Sequence, residues 1–475
     1  MNSIWTQTCH IESRPNLQEA LRTDVAIIGG GLCGILTAYR LAEKGKKAIV
    51  LEANSIASGQ TKNTTAKITA QHGAIYHKLI DTFGTEKAKE YADANSRAIF
   101  EYRHIVEKES IDCDLEEKSA FLYCLNNEHL LREEAKAAAL LGLPACFVTG
   151  SRLPFEVAGF VQFEEQAQFN PLKFIKKISG NLTVYENTPV ISVSGNTIKT
   201  SRGDVVAQHI IFACHYPFIN IPGLYFARMH QERSYVIALK NAAQLEGMYI
   251  SADKTGYSFR NYGEYLFVGG KNHRTGENSN GGKYAELEAQ GKKWFPGCQI
   301  HSRWSAQDCI STDSVPYIGR YSPGVPNWYV ATGFNKWGMT TSLVAADILS
   351  DLVCGVKNSS SNIFSPARFS FGDIPKIAVE GSHAIKGLTR EIVALPQTIL
   401  AQLPTGHGGI VEFNGDKLGV YKDEQGKVYT VDTRCPHLGC QVEWNPDEKT
   451  WDCPCHGSRF DYTGKLISGP AQEDI

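Results

Sequence analysis

The 475-residue chain contains no apolar run near the ~20 residues that span a bilayer. Its opening stretch, "MNSIWTQTCHIESRPNLQEALRTD", lacks the basic-then-apolar order of a secretory leader. Neither charge is in excess: 48 Lys and Arg stand against 50 Asp and Glu, a net of −2. That balance leaves no electrostatic footprint for nucleic acid or an anionic membrane. Most of the chain also lacks disulfide patterning, since nine of its thirteen cysteines lie singly between Cys9 and Cys354. Isolated cysteines read as small core residues or free thiols of a reducing compartment. The expectation is a cytoplasmic protein with no nucleic-acid partner and no membrane span. With 42% hydrophobic and 21% charged residues, the length suits two or three domains with sizeable cores.

What is present begins at Asp24 with "DVAIIGGGLCGILTAYRLAEKGKKAIVLEA". A short apolar run, a helical pattern with Leu32, Ile35, Leu36, Tyr39 and Leu41, and a second apolar run predict a βαβ unit. Gly29, Gly31 and Gly34 form G-x-G-x-x-G at the first turn. The first glycine permits the tight turn, the second lets backbone approach a pyrophosphate, and the third allows close helix–strand packing. The pyrophosphate would sit on the helix N-terminus, where amide hydrogens and the dipole favour an anion. Glu52 ends the second strand, where a carboxylate accepts hydrogen bonds from a ribose. The polar stretch "NSIASGQTKNTTAKITAQHG" then offers backbone and hydroxyl groups to an extended cofactor.

The fingerprint, "IASGQTKNTTA", "ENTPVISV", "HIIFACHYP", "DSVPYIGR" and "ATGFNKWGMT" together resemble the D-amino-acid-oxidase-like FAD oxidoreductases, the glycine and sarcosine oxidase type, over residues 20 to 370. The resemblance implies FAD. Its ADP half is held by Gly29, Gly31, Gly34, Glu52 and Ala53, the loop contributes Gly59, Thr61 and Thr65, Val190 lies beside adenine, and Gly333, Gly338 and Met339 meet the flavin end. It also implies an α/β FAD-binding Rossmann-type domain (1–75, 150–215 and 310–365) and an antiparallel-sheet substrate domain (76–149 and 216–309). "SYVIALK" and "GEYLFVGG" read as strands of that sheet.

Relatives that oxidise amino acids carry an arginine ahead of D-x-x-P-x-I-G to clamp the carboxylate. Here "WSAQDCISTDSVPYIG" has none, and Asp308 falls at that position. A carboxylate there repels a substrate carboxylate and attracts an ammonium group. Arg260, on a neighbouring strand, is the alternative clamp, to be weighed against a structural ion pair. His215 reads as structural. Asp308 and Arg260 are thus the catalytic-site candidates for a small amine or amino-acid substrate.

After "GVKNSSSN" come a linker with a short helix (366–394) and then a small all-β module (395–475), with "NGDK" and "DEQGK" as hairpin turns. "CPHLGC" (Cys435–Cys440) and "CPCHGS" (Cys453–Ser458) concentrate four cysteines and two histidines there. Cys435, His437, Cys453 and His456 have the residue types and paired spacing of a tetrahedral zinc site. Zinc leaves Cys440 and Cys455 without a task. Both loops, with "GKLISGPA", resemble the signature of the Rieske iron–sulfur domain. That resemblance implies a [2Fe–2S] cluster held by Cys435 and Cys453 on one iron and by His437 and His456 on the other, with Cys440–Cys455 as a disulfide. Neutral histidines make such a cluster easier to reduce, and Rieske potentials span about −150 to +300 mV. Ser458 matches a hydroxyl that bonds a bridging sulfide in high-potential members, whereas Phe460 replaces their tyrosine donor. A potential below the respiratory values is expected. The ending "GPAQEDI" comes before the final strand usual in such domains.

The leading expectation is a dehydrogenase that oxidises a C–N bond at FAD and passes electrons through the Rieske cluster to an unknown acceptor. The alternatives are an oxidase using O2, with a structural or redox-sensing Rieske module, and a pure electron-transfer protein. No second G-x-G-x-x-G supports a nicotinamide domain, and no facial triad supports an oxygenase.

Overall fold

The computed structural model describes residues 3–368, 402–413 and 416–475. The linker helix expected before Pro396 lies outside them. The βαβ unit forms as strand Leu21–Ile28, helix Leu32–Glu43 and strand Ala48–Leu51. Its strands enter an eight-stranded sheet whose parallel core runs Trp328–Thr332, Gly203–Phe212, Leu21–Ile28, Ala48–Leu51, Thr183–Tyr185. The Gly34 position explains the tight helix–strand contact: a Cβ there would fall 1.9 Å from the Gly29 carbonyl oxygen. Helix Gly338–Val353 packs beside helix Leu32–Glu43, and both contribute to the largest apolar core.

A second sheet of nine strands covers this layer. Its order begins Gln299–Ser311, Met229–Lys240, Tyr265–Arg274, Ser258–Tyr262, so Gln299–Ser311 is an edge strand. One pair, Met248–Ser251 with Glu116–Cys124, is parallel, and the other pairs are antiparallel. Strand Gly159–Gln168 also belongs here. The expectation that 150–215 lies wholly in the first domain fails at this strand: ten residues of that segment return to pair with Glu116–Cys124 before the chain re-enters the first layer. Among the described residues no helix is long and apolar enough to cross a membrane.

The C-terminal module is all β. A three-stranded sheet (Gly408–Phe413, Asp416–Lys422, Val428–Asp432) accompanies a four-stranded one (Glu443–Asn445, Thr450–Asp452, Arg459–Asp461, Leu466–Ser468). Trp444, Trp451 and Phe460 fill its core beside the four loop cysteines. The module packs against the nine-stranded sheet.

Candidate functional site

The first site grows from the fingerprint turn. Gly29 adopts φ +111°, and a Cβ there would meet the Ala213 carbonyl at 2.6 Å. Gly31 precedes the helix without any side-chain cap, and the Leu32 N–H donates to Thr61 Oγ1 at 3.0 Å. The start of this helix is the position where amides and the dipole favour an anion. Glu52 accepts from the Gly30 N–H (2.7 Å) and the Asn54 N–H (2.8 Å), while burial raises its carboxyl above the usual range. Ala53 is exposed beside it, and Gly59, Thr61 and Thr65 line the following loop. Val190 opens a strand on the same layer. At the far end Gly333 adopts φ +70°, with 3.2 Å from its would-be Cβ to Met229 Sδ. Gly338 and Met339 begin the next helix, and the Met339 carbonyl accepts from Tyr102 OH at 2.8 Å.

The nine-stranded sheet forms the wall over this cradle. Trp304 and Val236 sit opposite each other on the face that joins the main core. The two-residue period puts Ala306 and Asp308, and Ser234 and Glu232, on that same face. Glu232 bonds Lys336 at 2.8 Å and His230 at 3.5 Å. Burial pushes the Asp308 carboxyl up to about 6, with Lys336 opposing and Glu232 reinforcing. Arg260 directs Nη1 and Nε to backbone carbonyls and leaves Nη2 buried without a partner among the described residues. It is wholly buried, its Nη1 donates to the Thr65 and Ala66 carbonyls, its Nε to the Asn261 carbonyl, and Trp5, Tyr262 and Phe267 surround it. It is in no ion pair among the described residues; it holds the cofactor-side loop by its backbone.

The second site is built from two matching turns. In each, a cysteine carbonyl accepts from a glycine N–H four residues on, Cys435 from Gly439 and Cys453 from Gly457, both at 2.9 Å. The glycines adopt φ +79° and +80°, the left-handed position that closes such turns. Cys440 and Cys455 are disulfide-bonded. The rings of His437 and His456 lie 4.9 Å apart. His437 Nε2 donates to Asn220 Oδ1 at 2.8 Å, which sets its proton there and leaves Nδ1 buried without a partner. Burial holds this imidazole neutral, down to about 4. Cys435 is held down to about 7, chiefly by the Cys453 thiol that bonds it, and Cys453 is pushed up in return. Two free thiols, a bare ring nitrogen and a facing histidine fit an iron–sulfur centre. Ser458 Oγ accepts from the Ala471 N–H at 2.9 Å, and its own hydrogen bonds the Cys435 sulfur.

The two sites share one sheet. On the face opposite Asp308, Gln231 Nε2 donates to the His456 carbonyl at 2.5 Å, and Gln307 Nε2 to the Gly457 carbonyl at 2.8 Å. The Gln307 N–H, on the sheet edge, donates to Gln60 Oε1 in the cofactor-side loop at 2.7 Å. Glu448 of the module reaches Arg233, Tyr284 OH (2.9 Å) and Ser305 Oγ (2.7 Å). Sequence reasoning missed Gln231, Gln307, Arg233, Glu448 and Asn220. One signal was available: along "HQERSYVIALK" the face carrying Tyr235, Ile237 and Leu239 turns polar at Arg233 and Gln231.

A Rossmann-type cradle roofed by a second sheet, with a two-cysteine, two-histidine centre docked on that roof, defines a flavoprotein joined to an iron–sulfur module. Residues 24–352 match the family described as "FAD dependent oxidoreductase" (DAO), and residues 398–475 match "Rieske [2Fe-2S] domain". The chain belongs to the DAO family of FAD-dependent oxidoreductases, carries a Rieske domain, and binds FAD and a [2Fe–2S] cluster. It is similar to the Rieske 2Fe-2S iron-sulfur protein YhfW of Bacillus subtilis (strain 168), 37% identical over 487 residues, covering 99% of this chain and 96% of that protein. Only the module is similar to the cytochrome b6-f complex iron-sulfur subunit of Chlorobaculum thiosulfatiphilum, 39% identical over 70 residues, 15% of this chain and 38% of that one. Among solved structures, glycine oxidase from Geobacillus kaustophilus superimposes with TM-score 0.62 at 18% identity, over 74% of this chain and 99% of that one. L-proline dehydrogenase from P. horikoshii gives 0.63 at 16%, over 76% and 99%. These two likenesses show the fold.

Proposed function

We propose that the enzyme oxidises the C–N bond of a small amine or amino acid and delivers the electrons through its Rieske cluster to a separate one-electron acceptor. FAD, when bound, supplies the two-electron oxidation, and the cluster supplies one-electron transfer. Cys435, His437, Cys453 and His456 are the proposed ligands, and Gly29, Gly31, Gly34, Glu52, Ala53, Gly59, Thr61, Thr65, Val190, Gly333, Gly338 and Met339 the proposed FAD contacts. The observation that carries the reading is the shared sheet: one face roofs the flavin cradle, the other receives the ligand loop Cys453–Ser458.

The substrate wall favours an amine over an amino acid. Asp308 offers a carboxylate where a carboxylate clamp would need a cation, and Arg260 directs Nη1 and Nε to backbone carbonyls. The neighbours named glycine oxidase, L-proline dehydrogenase and L-amino acid deaminase support nitrogen-bearing substrates at the level of fold. The unpaired thiols at Cys9, Cys33, Cys113, Cys146 and Cys354 support a cytoplasmic setting. The test is an anaerobic titration with a panel of amines and amino acids, reading flavin absorbance and the electron paramagnetic resonance of the same samples. Bleached flavin with a growing Rieske signal is expected for an amine. Bleached flavin beside a silent cluster refutes the electron route.

A further inference from the structure

We propose that the buried amide pair Gln231–Gln307 is the fixed bridge between the two cofactor sites, positioning the cluster-ligand loop for electron transfer from the reduced flavin. The inference rests on the electron route proposed above and names the residues that serve it.

Both side chains are sealed from solvent, at 2% and 1% exposure. Gln307 engages all its polar groups but one carbonyl with partners outside the sheet ladder or across it. Its N–H meets Gln60 of the cofactor-side loop, and its Nε2 meets Gly457 O and Gln231 Oε1 (2.6 Å). Its Oε1 accepts from Arg233 Nη1 (3.2 Å) and Thr275 Oγ1 (3.3 Å). Gln231 Nε2 continues to His456 O and reaches Gly469 O of the "SGPA" loop at 3.5 Å. One hydrogen-bonded chain thus runs from the flavin-side loop through two amides to the peptide of a proposed iron ligand. Simple packing does not ask for this. Farther along the same face Tyr235, Ile237 and Leu239 pack with Tyr284 and Leu287 in an apolar cluster, and dry amides are costly unless fully bonded. The amides occur where the ligand loop lies over the sheet. Gly457 makes room for them: a Cβ there would fall 2.7 Å from the Gln231 side chain.

Each passage takes one electron from reduced flavin and turns one ferric ion of the cluster ferrous. A one-electron acceptor empties the cluster before the second passage, and the flavin's proton leaves to solvent. Gln231 and Gln307 are positioning residues, since they act through the peptides they hold.

The test uses the holoenzyme, with flavin photoreduced in place by light and EDTA, and follows flavin reoxidation against the cluster signal. Gln307→Leu and Gln231→Leu should slow that transfer at least tenfold while FAD and iron contents stay at wild-type levels. Gln231→Glu keeps the shape and sets a carboxylate against the His456 carbonyl. It should disfavour the reduced cluster about tenfold, a fall of ~59 mV for one electron, read by potentiometric paramagnetic resonance. If wild-type flavin passes no electron to the cluster, the proposed function falls and this bridge with it. If wild type transfers and the leucine variants stay within threefold, the bridge alone is overturned. An unchanged potential in Gln231→Glu overturns it too, independently of any leucine variant that fails to fold.

Discussion

Replacing Glu448 by glutamine should cost about 3 kcal/mol of stability at pH 7. Its carboxylate lies between two guanidinium groups with little solvent: the side chains of Arg233, Arg459 and Glu448 are 1%, 10% and 9% exposed. Burial alone would raise its pKa, but Arg233 and Arg459 outweigh that and push it from 4.5 down to about 2. Each tenfold is worth ~1.4 kcal/mol, so the depression corresponds to about 3 kcal/mol. Breaking a buried pair from one side gives a similar figure, about 3–5 kcal/mol, because the partner charge stays behind. Arg459 keeps Asp452 at 3.0 Å, so the stranded charge is Arg233. The sign follows from the depressed pKa: the contribution is whole above about pH 4.5 and is lost as pH falls toward 2. Equilibrium denaturation of wild type and Glu448→Gln at pH 7 and pH 3 checks this, read by fluorescence of the buried Trp444 and Trp451 and by visible circular dichroism of the cluster. The gap should shrink on acidification. A gap under 1 kcal/mol at pH 7, or one that does not narrow at pH 3, would refute the reasoning.

Gly34→Ala should reduce bound flavin below one tenth of stoichiometric, since its Cβ has no room beside Gly29 O, whereas Gly324→Ala, which meets nothing within 4 Å, should keep it; flavin released by heat measures both. For a cationic amine, kcat/KM should fall as pH drops below about 6, where Asp308 takes up a proton, and Asp308→Asn should flatten that limb and weaken KM roughly tenfold; steady-state profiles between pH 5 and 8 decide it. Phe460→Tyr should raise the cluster midpoint by roughly 59 mV, one tenfold preference for the reduced state, as a new hydroxyl donor approaches the cysteine ligands; film voltammetry reads the shift.

Features written in short contiguous patterns were legible from the sequence. The glycine turn, the helix behind it and Glu52 lie within about thirty residues, and the two ligand turns are six residues each, so local spacing carries their chemistry. Features made by chain return were hidden. Strand Gly159–Gln168 pairs with Glu116–Cys124 across forty residues, which no local period announces, and the domain division drawn at 150 therefore failed. Arg260 shows the same limit at one side chain. Its strand was readable, but whether a guanidinium meets a ligand or two carbonyls of residues 65 and 66 depends on a loop nearly two hundred positions away. The seam residues are scattered from 220 to 469, and only the polar end of an otherwise apolar strand face hinted at them.

Glycines line the seam from both sides. A Cβ on Gly276 would strike Pro454, one on Gly281 would strike Pro446, and one on Gly457 would strike Gln231, each within 2.7 Å. A surface meant for repeated encounters tolerates loose fit and exchanges water; this one has the clearance of a protein interior. Tethering in one chain already raises the local concentration of the module, so such closeness adds permanence rather than capture. On the electron route proposed above, delivery across the seam would depend on neither protein concentration nor ionic strength, and the module would work as a fixed wire terminal instead of a shuttling carrier. Drift on one side of the seam is confined by the backbone on the other, so the two halves can change only in step.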